Sequence, residues 1–312
     1  MRAASRAVAA AFLLAVLAGC SLDYPQPKRY AIVYGVSEYQ PGWTNNLTYP
    51  DLDAVAMNDM LVAEGFDQVT TRISTDALSD RPSKANLLLD IASLAATVGP
   101  NDLVLFSYSG HGGQSAYQSG TREWIFPYGS VDGGFNIVLA NSIYDSELGD
   151  MLDVLPTKRR VVILDSCNSG GFVGSGIEAD TVPPQLFEHT AEAGRITPAT
   201  IAKAIQNYAA FSSADAAGAG GISPYKALVL AAAGADEYSW EAGTPYNHGI
   251  LTHFLLESPG SGDLNGDGVV TVLETFALVK ARIDQTWNFV NSGTIKVFAP
   301  HVSGGPIDLV LF

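Results

Sequence analysis

Two stretches of the sequence decide the fold: 103–113 reads LVLFSYSGHGG, and 161–171 reads VVILDSCNSGG. In each stretch, an apolar run with the length of a buried strand leads into small and polar residues. In open α/β sheets, active sites lie beyond the carboxyl ends of the strands. If the two strands are neighbours, His111 and Cys167 face each other at this edge of the sheet.

His111 and Cys167 are residue types that together support nucleophilic catalysis. A thiolate is a strong nucleophile, and a nearby imidazole lowers the thiol pKa or accepts its proton. Gly112 lets the backbone approach a substrate carbonyl, and the N–H groups of Gly112 and Cys167 could form an oxyanion hole. Taken alone, a free Cys is more often a buried core residue and a single His more often satisfies a loop. The two together, each after a buried strand and each followed by glycine, favour catalysis.

Outward from these strands, apolar runs of strand length alternate with helical patterns. This alternation predicts an α/β protein with a mostly parallel central sheet flanked by helices. The 312 residues contain no internal repeat and no second core behind a linker, so we expect one domain over 29–312. The predicted strands are 30–36, 69–73, 103–107, 161–164, 228–232 and 307–312. The predicted helices are 52–64, 84–94, 143–155, 199–210, 249–256 and 273–283, with a Gly-rich loop after His111 and a long surface loop over 172–198.

The N-terminus has the features of a secretory signal. Arg2 and Arg6 precede an apolar run that is too short to span a bilayer stably, and the signal 1–19 ends directly before Cys20. The sequence Leu-Ala-Gly-Cys looks like a bacterial lipobox. It predicts a lipid on Cys20, which becomes the new N-terminus, and a solvated tether over 20–28. The alternative is an ordinary signal peptide with an incidental Cys.

The charge balance restricts the partners. The formal net charge is -15, and removal of Arg2 and Arg6 with the signal leaves 15 basic against 32 acidic residues, or -17. Such a surface repels nucleic acid and anionic membrane faces, so we expect no nucleic-acid partner. Cys20 and Cys167 are the only two cysteines, and a lipid on Cys20 excludes a disulfide within the chain.

The motifs SGHG at 109–112 and DSC at 165–167 place the His and the Cys 56 positions apart. In these motifs the sequence resembles the caspase-like cysteine peptidases, especially the metacaspases and their bacterial relatives. The likeness extends to YAIVYGV at 30–36, to LDA at 52–54 and to HGILT at 248–252. It implies a cysteine endopeptidase with His111 and Cys167 as its catalytic pair. One position departs from the pattern, because metacaspases usually carry His after the catalytic Cys and this chain has Asn168.

The resemblance also implies a specificity pocket. In metacaspases, the acid two positions before the catalytic Cys and an acid at the start of the first helix line a pocket for Arg or Lys. Asp165 and Asp53 match these positions. Paired carboxylates would hold a guanidinium by charge-assisted hydrogen bonds. For Asp53 the alternative is a helix N-terminal residue favoured by the macrodipole.

Residues 263–274, DLNGDGVVTVLE, match the pattern of a calcium loop. Such a loop has oxygen ligands at positions 1, 3, 5, 9 and 12, and Gly at position 6 for the sharp turn. The alternative is an acidic surface turn, which does not need Glu at the last position. Because 259–262 separates the loop from the preceding helix, we expect bound calcium without a regular EF-hand helix pair. The predicted ligands are Asp263, Asn265, Asp267, Thr271, Glu274 and the backbone carbonyl of Val269.

Together these patterns predict a calcium-assisted endopeptidase that cleaves protein or peptide substrates after Arg or Lys. We expect it on the bacterial cell envelope, held by lipid at the outer membrane or at the periplasmic face of the inner membrane. Arg195 is the only basic residue between Arg160 and Lys203, which makes it a candidate site of self-cleavage. The alternative function is a catalytically silent caspase-like module that holds peptides in its cleft.

Overall fold

The computed structural model describes residues 26–117, 120–166, 227–233, 237–303 and 308–312. Eleven strands occur in these ranges, and they form one large and two small sheets. In chain order they are β1 (Arg29–Gly35), β2 (Gln68–Ile73), β3 (Leu103–Ser109), β4 (Gly112–Tyr117), β5 (Gly120–Ile125), β6 (Ile143–Tyr144), β7 (Arg159–Asp165), β8 (Leu228–Ala231), β9 (Glu241–Ala242), β10 (His248–Gly249) and β11 (His301–Ser303).

Helices connect and cover these strands, and their starts follow from local sequence. Pro50 stands in the first turn of the first helix, where its missing N–H costs nothing. Ser83 caps the second helix by accepting a hydrogen bond from the Asn86 N–H. No helix among the described residues is long and apolar enough to cross a bilayer. In chain order the helices are α1 (Pro50–Ala63), α2 (Lys84–Ala95), α3 (Asp145–Asp153), α4 (Ile250–Leu255), α5 (Ser258–Ser261), α6 (Val272–Gln285) and α7 (Trp287–Val290).

The main sheet has six strands in the spatial order β11-β8-β7-β3-β1-β2. Every neighbouring pair is parallel except β11 with β8, which is antiparallel. Parallel sheets are covered on both faces, and their strands are therefore almost wholly apolar. In β3 all seven residues are buried. The predicted α/β fold with a mostly parallel central sheet and flanking helices is confirmed.

The core lies in two layers, one on each face of the sheet. Alternate residues of β1 enter different layers, because successive side chains of a strand point to opposite faces. Ala31 and Val33 pack in the layer that contains α1, α4 and α6. Ile32 and Tyr34 pack in the layer that contains α2 and α3. The sheet therefore holds its loops at a common edge between two rigid layers.

Two predicted elements in the middle of the chain differ in the structure. The helix over 143–155 is shorter, because Ile143–Tyr144 pairs with β5 and α3 begins only at Asp145. The Gly-rich loop after His111 forms the hairpin β4-β5. The helix predicted over 199–210 and the loop over 172–198 lie outside the described residues.

The terminal strand predicted over 307–312 is wrong where the chain is described. Val310 forms an isolated bridge with Thr271, and the neighbouring backbone bonds to Val270 and Val272, but this segment is not part of the main sheet, whose edge strand is β11. The alternating pattern arises because Leu309 and Leu311 are both buried beside the start of α6. Burial at every second residue is thus produced here without a sheet.

Candidate active site

Strands β3 and β7 lie side by side, as predicted, with Ser109 directly opposite Asp165. His111 follows Ser109 by two positions, and Cys167 follows Asp165 by two positions. The described part of this segment stops at Ser166, which is buried, and Cys167 lies outside it. The parallel register therefore brings the ends of β3 and β7 to the same edge of the sheet.

Two buried tyrosines fix the backbone of His111. The His111 N–H donates to the Tyr39 hydroxyl at 2.6 Å, and the Tyr108 hydroxyl donates to the His111 carbonyl at 2.9 Å. The imidazole is 1% exposed and packs against the rings of Tyr39 and Trp43, at centroid distances of 5.0 and 5.6 Å. Gly112, the predicted oxyanion residue, follows as the first residue of β4.

A backbone carbonyl orients the His111 ring. Nε2 lies 2.6 Å from the carbonyl oxygen of Asn45. Because a carbonyl oxygen only accepts, Nε2 carries the hydrogen, and the lone pair of the neutral ring is on Nδ1. The ring is thereby prepared to accept a proton at Nδ1.

Asp53 and Asp165, the two predicted pocket residues, come together in the structure. Both line one pocket next to Ser109 and Ser166. Asp53 lies in the first turn of α1, but its carboxylate accepts from the Ser109 hydroxyl at 2.7 Å and does not cap the helix. Asp165 accepts from the Ser239 hydroxyl at 2.6 Å and from the N–H and hydroxyl of Thr252. Asp53 is therefore a pocket residue by position.

Both aspartates have partners within the described chain. Each accepts several hydrogen bonds, and Asp53 also contacts Nδ1 of His248 at 2.7 Å. The motif HGILT at 248–252 does not indicate this contact. In the described part of the chain, no Lys or Arg forms an ion pair with Asp53 or Asp165. Among the described residues, the two aspartates therefore have hydrogen-bond donors but no Lys or Arg partner.

Glu241 adds a third carboxylate that the sequence analysis did not find. It lines the same pocket, it is 6% exposed, and it accepts from the backbone N–H groups of Thr48 and Tyr49 at 2.9 Å each. The signal available in the sequence was an acid placed between Trp240 and Ala242, in a context that otherwise favours burial.

The acids of the pocket affect one another's ionisation. Burial, and then the charge of Asp53, raise the pKa of Asp165 to about 6, against the lowering effect of its hydrogen bonds. Burial raises the pKa of Glu241 to about 7 against the lowering effect of two backbone N–H bonds; the Asp53 charge adds to the rise, and a protonated His111 ring would oppose it. Both groups would ionise more readily beside a cation.

Gly249 makes the approach of the two aspartates feasible. A Cβ at this position would overlap an oxygen of Asp165 and would lie 3.0 Å from an oxygen of Asp53. The Gly249 N–H also points at Asp53, 3.2 Å from both carboxylate oxygens. A larger residue would therefore separate the aspartates or displace β10.

The predicted calcium loop is folded as a tight acidic turn. Asp263 accepts from the N–H groups of Gly266, Asp267 and Gly268, and Gly266 has a φ of +80°, as position 6 requires. Val269 is exposed in the turn, and the Asn265 side chain accepts from the Asp267 N–H. Across the described residues, no group of three or more His, Cys, Asp or Glu is arranged to hold a metal ion.

The last residue of the loop has a different role in the structure. Glu274 forms a capping box with Thr271, in which Oε2 accepts from the Thr271 N–H and hydroxyl. Its Oε1 is buried without a hydrogen-bond partner. Of the remaining predicted positions, Cys20, Asn168 and Arg195 lie outside the described residues.

The comparisons with known proteins agree with this architecture. Residues 28–294 match the model of the caspase domain. The chain is 32% identical over 157 residues to metacaspase-1 of Schizosaccharomyces pombe and 30% identical over 121 residues to metacaspase-4 of Arabidopsis thaliana. These regions cover 47% and 36% of this chain, and only 35% and 27% of the two relatives, so the chain spans about a third of their length.

Two solved structures share the fold. Caspase-1 of Spodoptera frugiperda aligns with a TM-score of 0.52 at 11% identity, over 89% of each chain. A protein of Geobacter sulfurreducens aligns with a TM-score of 0.53 at 18% identity, over 90% of this chain and 95% of its own. At these identities the likeness concerns the fold alone. With the match to the domain model over most of its length, the chain belongs to the caspase-domain family of cysteine-type peptidases.

Proposed function

We propose that this chain is a cysteine endopeptidase that cleaves after Arg or Lys, with Cys167 as its nucleophile and His111 as the base. One observation carries the proposal: three buried carboxylates, Asp53, Asp165 and Glu241, line one pocket beside the end of β3. Burial raises the pKa of Asp165 and of Glu241, and a nearby cation favours the ionised form of such carboxyls. The cation that completes this site would be the side chain of the substrate.

The chemistry follows from the tautomer of His111. Nε2 donates to the Asn45 carbonyl, so Nδ1 takes the proton of the Cys167 thiol as sulfur attacks the peptide carbonyl. The carbonyl oxygen becomes an oxyanion, for which the N–H groups of Gly112 and Cys167 are the proposed donors. His111 then passes the proton to the leaving amine, and a thioester forms. Water hydrolyses the thioester and restores the thiol.

Charge decides the selectivity of the pocket. An Arg side chain offers planar, bidentate donors to carboxylates, whereas Lys offers a single charged group, so Arg should be preferred. An Asp side chain would be repelled by the three acids. An uncharged side chain would leave the pocket carboxylates without a cation.

Cleavage of four matched peptides tests the proposal. They differ only in the residue before the scissile bond, which is Arg, Lys, Ala or Asp, and the Cys167→Ala variant is the control. We expect the order Arg, Lys, Ala, Asp and no cleavage by the control. Equal cleavage of all four would reject the pocket, and absence of cleavage would favour a silent peptide-binding module.

We further propose that the loop 263–274 binds calcium. The donors of Asp263, Asn265, Asp267, Thr271, Glu274 and the Val269 carbonyl are all hard oxygens, as calcium prefers. The unpartnered Oε1 of Glu274 is a buried acceptor that a cation would satisfy. Bound calcium would tie this loop to the start of α6. Calorimetry that detects no heat of calcium binding, or no loss of it in Glu274→Ala, would reject the site.

The location of the protein is a separate proposal. We infer from the sequence around Cys20 that a lipid on this residue holds the domain at the cell envelope. Replacement of Cys20 by Ala should release the protein from the membrane fraction into the soluble fraction. Retention of the variant in the membrane fraction would point to another anchor.

Self-processing at Arg195 follows from the proposed selectivity. An enzyme that prefers basic residues would cut its own chain at the only basic residue between Arg160 and Lys203. Intact mass after incubation with calcium should therefore reveal a break after Arg195. The break should be absent in Cys167→Ala, and a break at another position would reject this assignment.

A further inference from the structure

Glu241 has contacts that a simple pocket residue does not need. Its carboxylate accepts from two consecutive backbone N–H groups, those of Thr48 and Tyr49, which are 193 and 192 positions away in the chain. It therefore joins β9 to the segment that leads into α1. Such charge-assisted bonds are about twice as strong as neutral ones.

The segment held by Glu241 leads into the start of α1. Tyr49 is the N-cap residue of α1, and its side chain makes no capping hydrogen bond, while the Asp51 N–H in the first turn donates to the Ser37 hydroxyl. Thr48 and Tyr49 stand directly before the first turn, so Glu241 holds the backbone that enters the helix. Its charge also lies near the positive end of the helix dipole.

The same segment carries the carbonyl that orients His111. Asn45 lies three residues before Thr48, and its carbonyl oxygen contacts Nε2 of the imidazole at 2.6 Å. On the other side, the Asn46 side chain accepts from the Tyr39 N–H at 2.8 Å and so ties the segment to a ring that packs on His111. A shift of the Thr48 end would therefore move the Asn45 carbonyl.

Glu241 is also placed to respond to the contents of the pocket. It lines the pocket together with Asp53 and Asp165. Its ionisation responds to the charges of both Asp53 and His111, although it makes no hydrogen bond with either among the described residues. One carboxylate thus faces the expected substrate cation and holds the backbone that positions the imidazole.

We propose that Glu241 is a positioning residue that couples the specificity pocket to the His111 ring through Thr48, Tyr49 and the Asn45 carbonyl. The inference rests on the proposed function, since it needs His111 to act on Cys167. A cation in the pocket would bind Glu241 and restrict the movement of the 45–49 segment. A substrate with a basic side chain would therefore hold the His111 imidazole more firmly in position. An uncharged substrate would leave this alignment as it is.

The test distinguishes the effect of the Glu241 charge from the effect of its side-chain length. Glu241→Gln removes the charge and presents an amide N–H₂ to one of the backbone donors. Glu241→Asp keeps the charge in the pocket but is one methylene too short for Thr48 and Tyr49. Glu257→Gln is the matched control, because that carboxylate bonds Arg282 and does not line the pocket. Circular dichroism sets a temperature at which all variants are folded.

The readout is the rate of Cys167 alkylation by iodoacetamide against pH, resolved by peptide mass mapping. We expect both Glu241 variants to slow alkylation at pH 7 by about 10-fold. The midpoint of the rate against pH should move toward the ordinary thiol pKa of about 8.5. Turnover should fall roughly 10- to 100-fold for Arg peptides, as misplacement of a catalytic group predicts, and less for Ala peptides, which carry no cation to engage Glu241. The control should match the unmodified protein.

The contrary outcomes are distinct. If Glu241→Asp behaves like the unmodified protein and Glu241→Gln loses only cleavage after Arg, the residue supplies pocket charge and the coupling is rejected. If Cys167 of the unmodified protein reacts no faster than a denatured-state thiol, the pair of His111 and Cys167 is rejected, and the coupling with it.

Discussion

Binding of a guanidinium ligand should tighten steeply as the pH rises from 5 to 8. The pocket attracts a cation only while its carboxyls are ionised, and the pKa is raised to about 6 for Asp165 and to about 7 for Glu241. Both groups are therefore largely protonated at pH 5 and largely ionised at pH 8. A bound cation lowers both pKa values, so binding near pH 6 also releases protons.

The size of this effect identifies the carboxyls that contact the ligand. From pH 5 to pH 8, the ionised fraction rises about 10-fold for Asp165 and about 100-fold for Glu241. A ligand that needs both should gain about 1,000-fold in affinity, which corresponds to about 4 kcal/mol. A ligand that needs Asp165 alone should gain only about 10-fold.

Calorimetry with N-acetyl-arginine amide measures this gain in the Cys167→Ala variant, in which the thiol no longer titrates. The control ligand is the citrulline counterpart, which has nearly the same shape and no charge. We expect affinity for the Arg ligand to rise with pH and affinity for the citrulline ligand to stay low. Equal affinities at pH 8, or Arg binding that is constant from pH 5 to 8, would refute the assignment of these carboxyls to a cation pocket.

The pocket and the acidic loop allow three further tests. Gly249→Ala should lower kcat/KM for Arg peptides by about 100-fold, because the new Cβ meets the Asp165 carboxylate; an unchanged value contradicts the close packing of the two aspartates. Asp165→Ala should also lower cleavage after Arg by about 100-fold while Cys167 alkylation stays fast, and unchanged selectivity would return Asp165 to a structural role. Calcium should raise the unfolding temperature of the unmodified protein but not of Glu274→Ala, and an equal rise in both excludes Glu274 as a ligand.

The central sheet and the places of His111 and Asp165 were predictable, because each is indicated by a continuous run of residues in the sequence. His111 and Asp165 stand at the ends of apolar runs, and parallel strands bring such ends to one edge. Asp53 could be assigned only by resemblance, since an acid in the first turn of a helix is common for reasons unrelated to function. In the structure the Asp53 side chain faces Ser109 and His248 at the pocket, which is the position that the resemblance implies.

Other parts of the site were not predictable, because they depend on contacts between distant segments. Glu241 meets Thr48 across 193 positions, and no periodic pattern relates the two. The Asn45 carbonyl is a backbone group, so its role leaves no trace in the residue type. Leu309 and Leu311 show the opposite case, since their burial near the start of α6 produces the same alternation as a strand.

Cleavage of a peptide library by the unmodified chain and by Cys167→Ala, each with and without calcium, tests the central claim most directly. The account predicts cuts after Arg and Lys, more of them with calcium, and none by the Cys167→Ala variant under either condition. Cleavage that persists without the thiol, or cuts distributed evenly over all residue types, would contradict it.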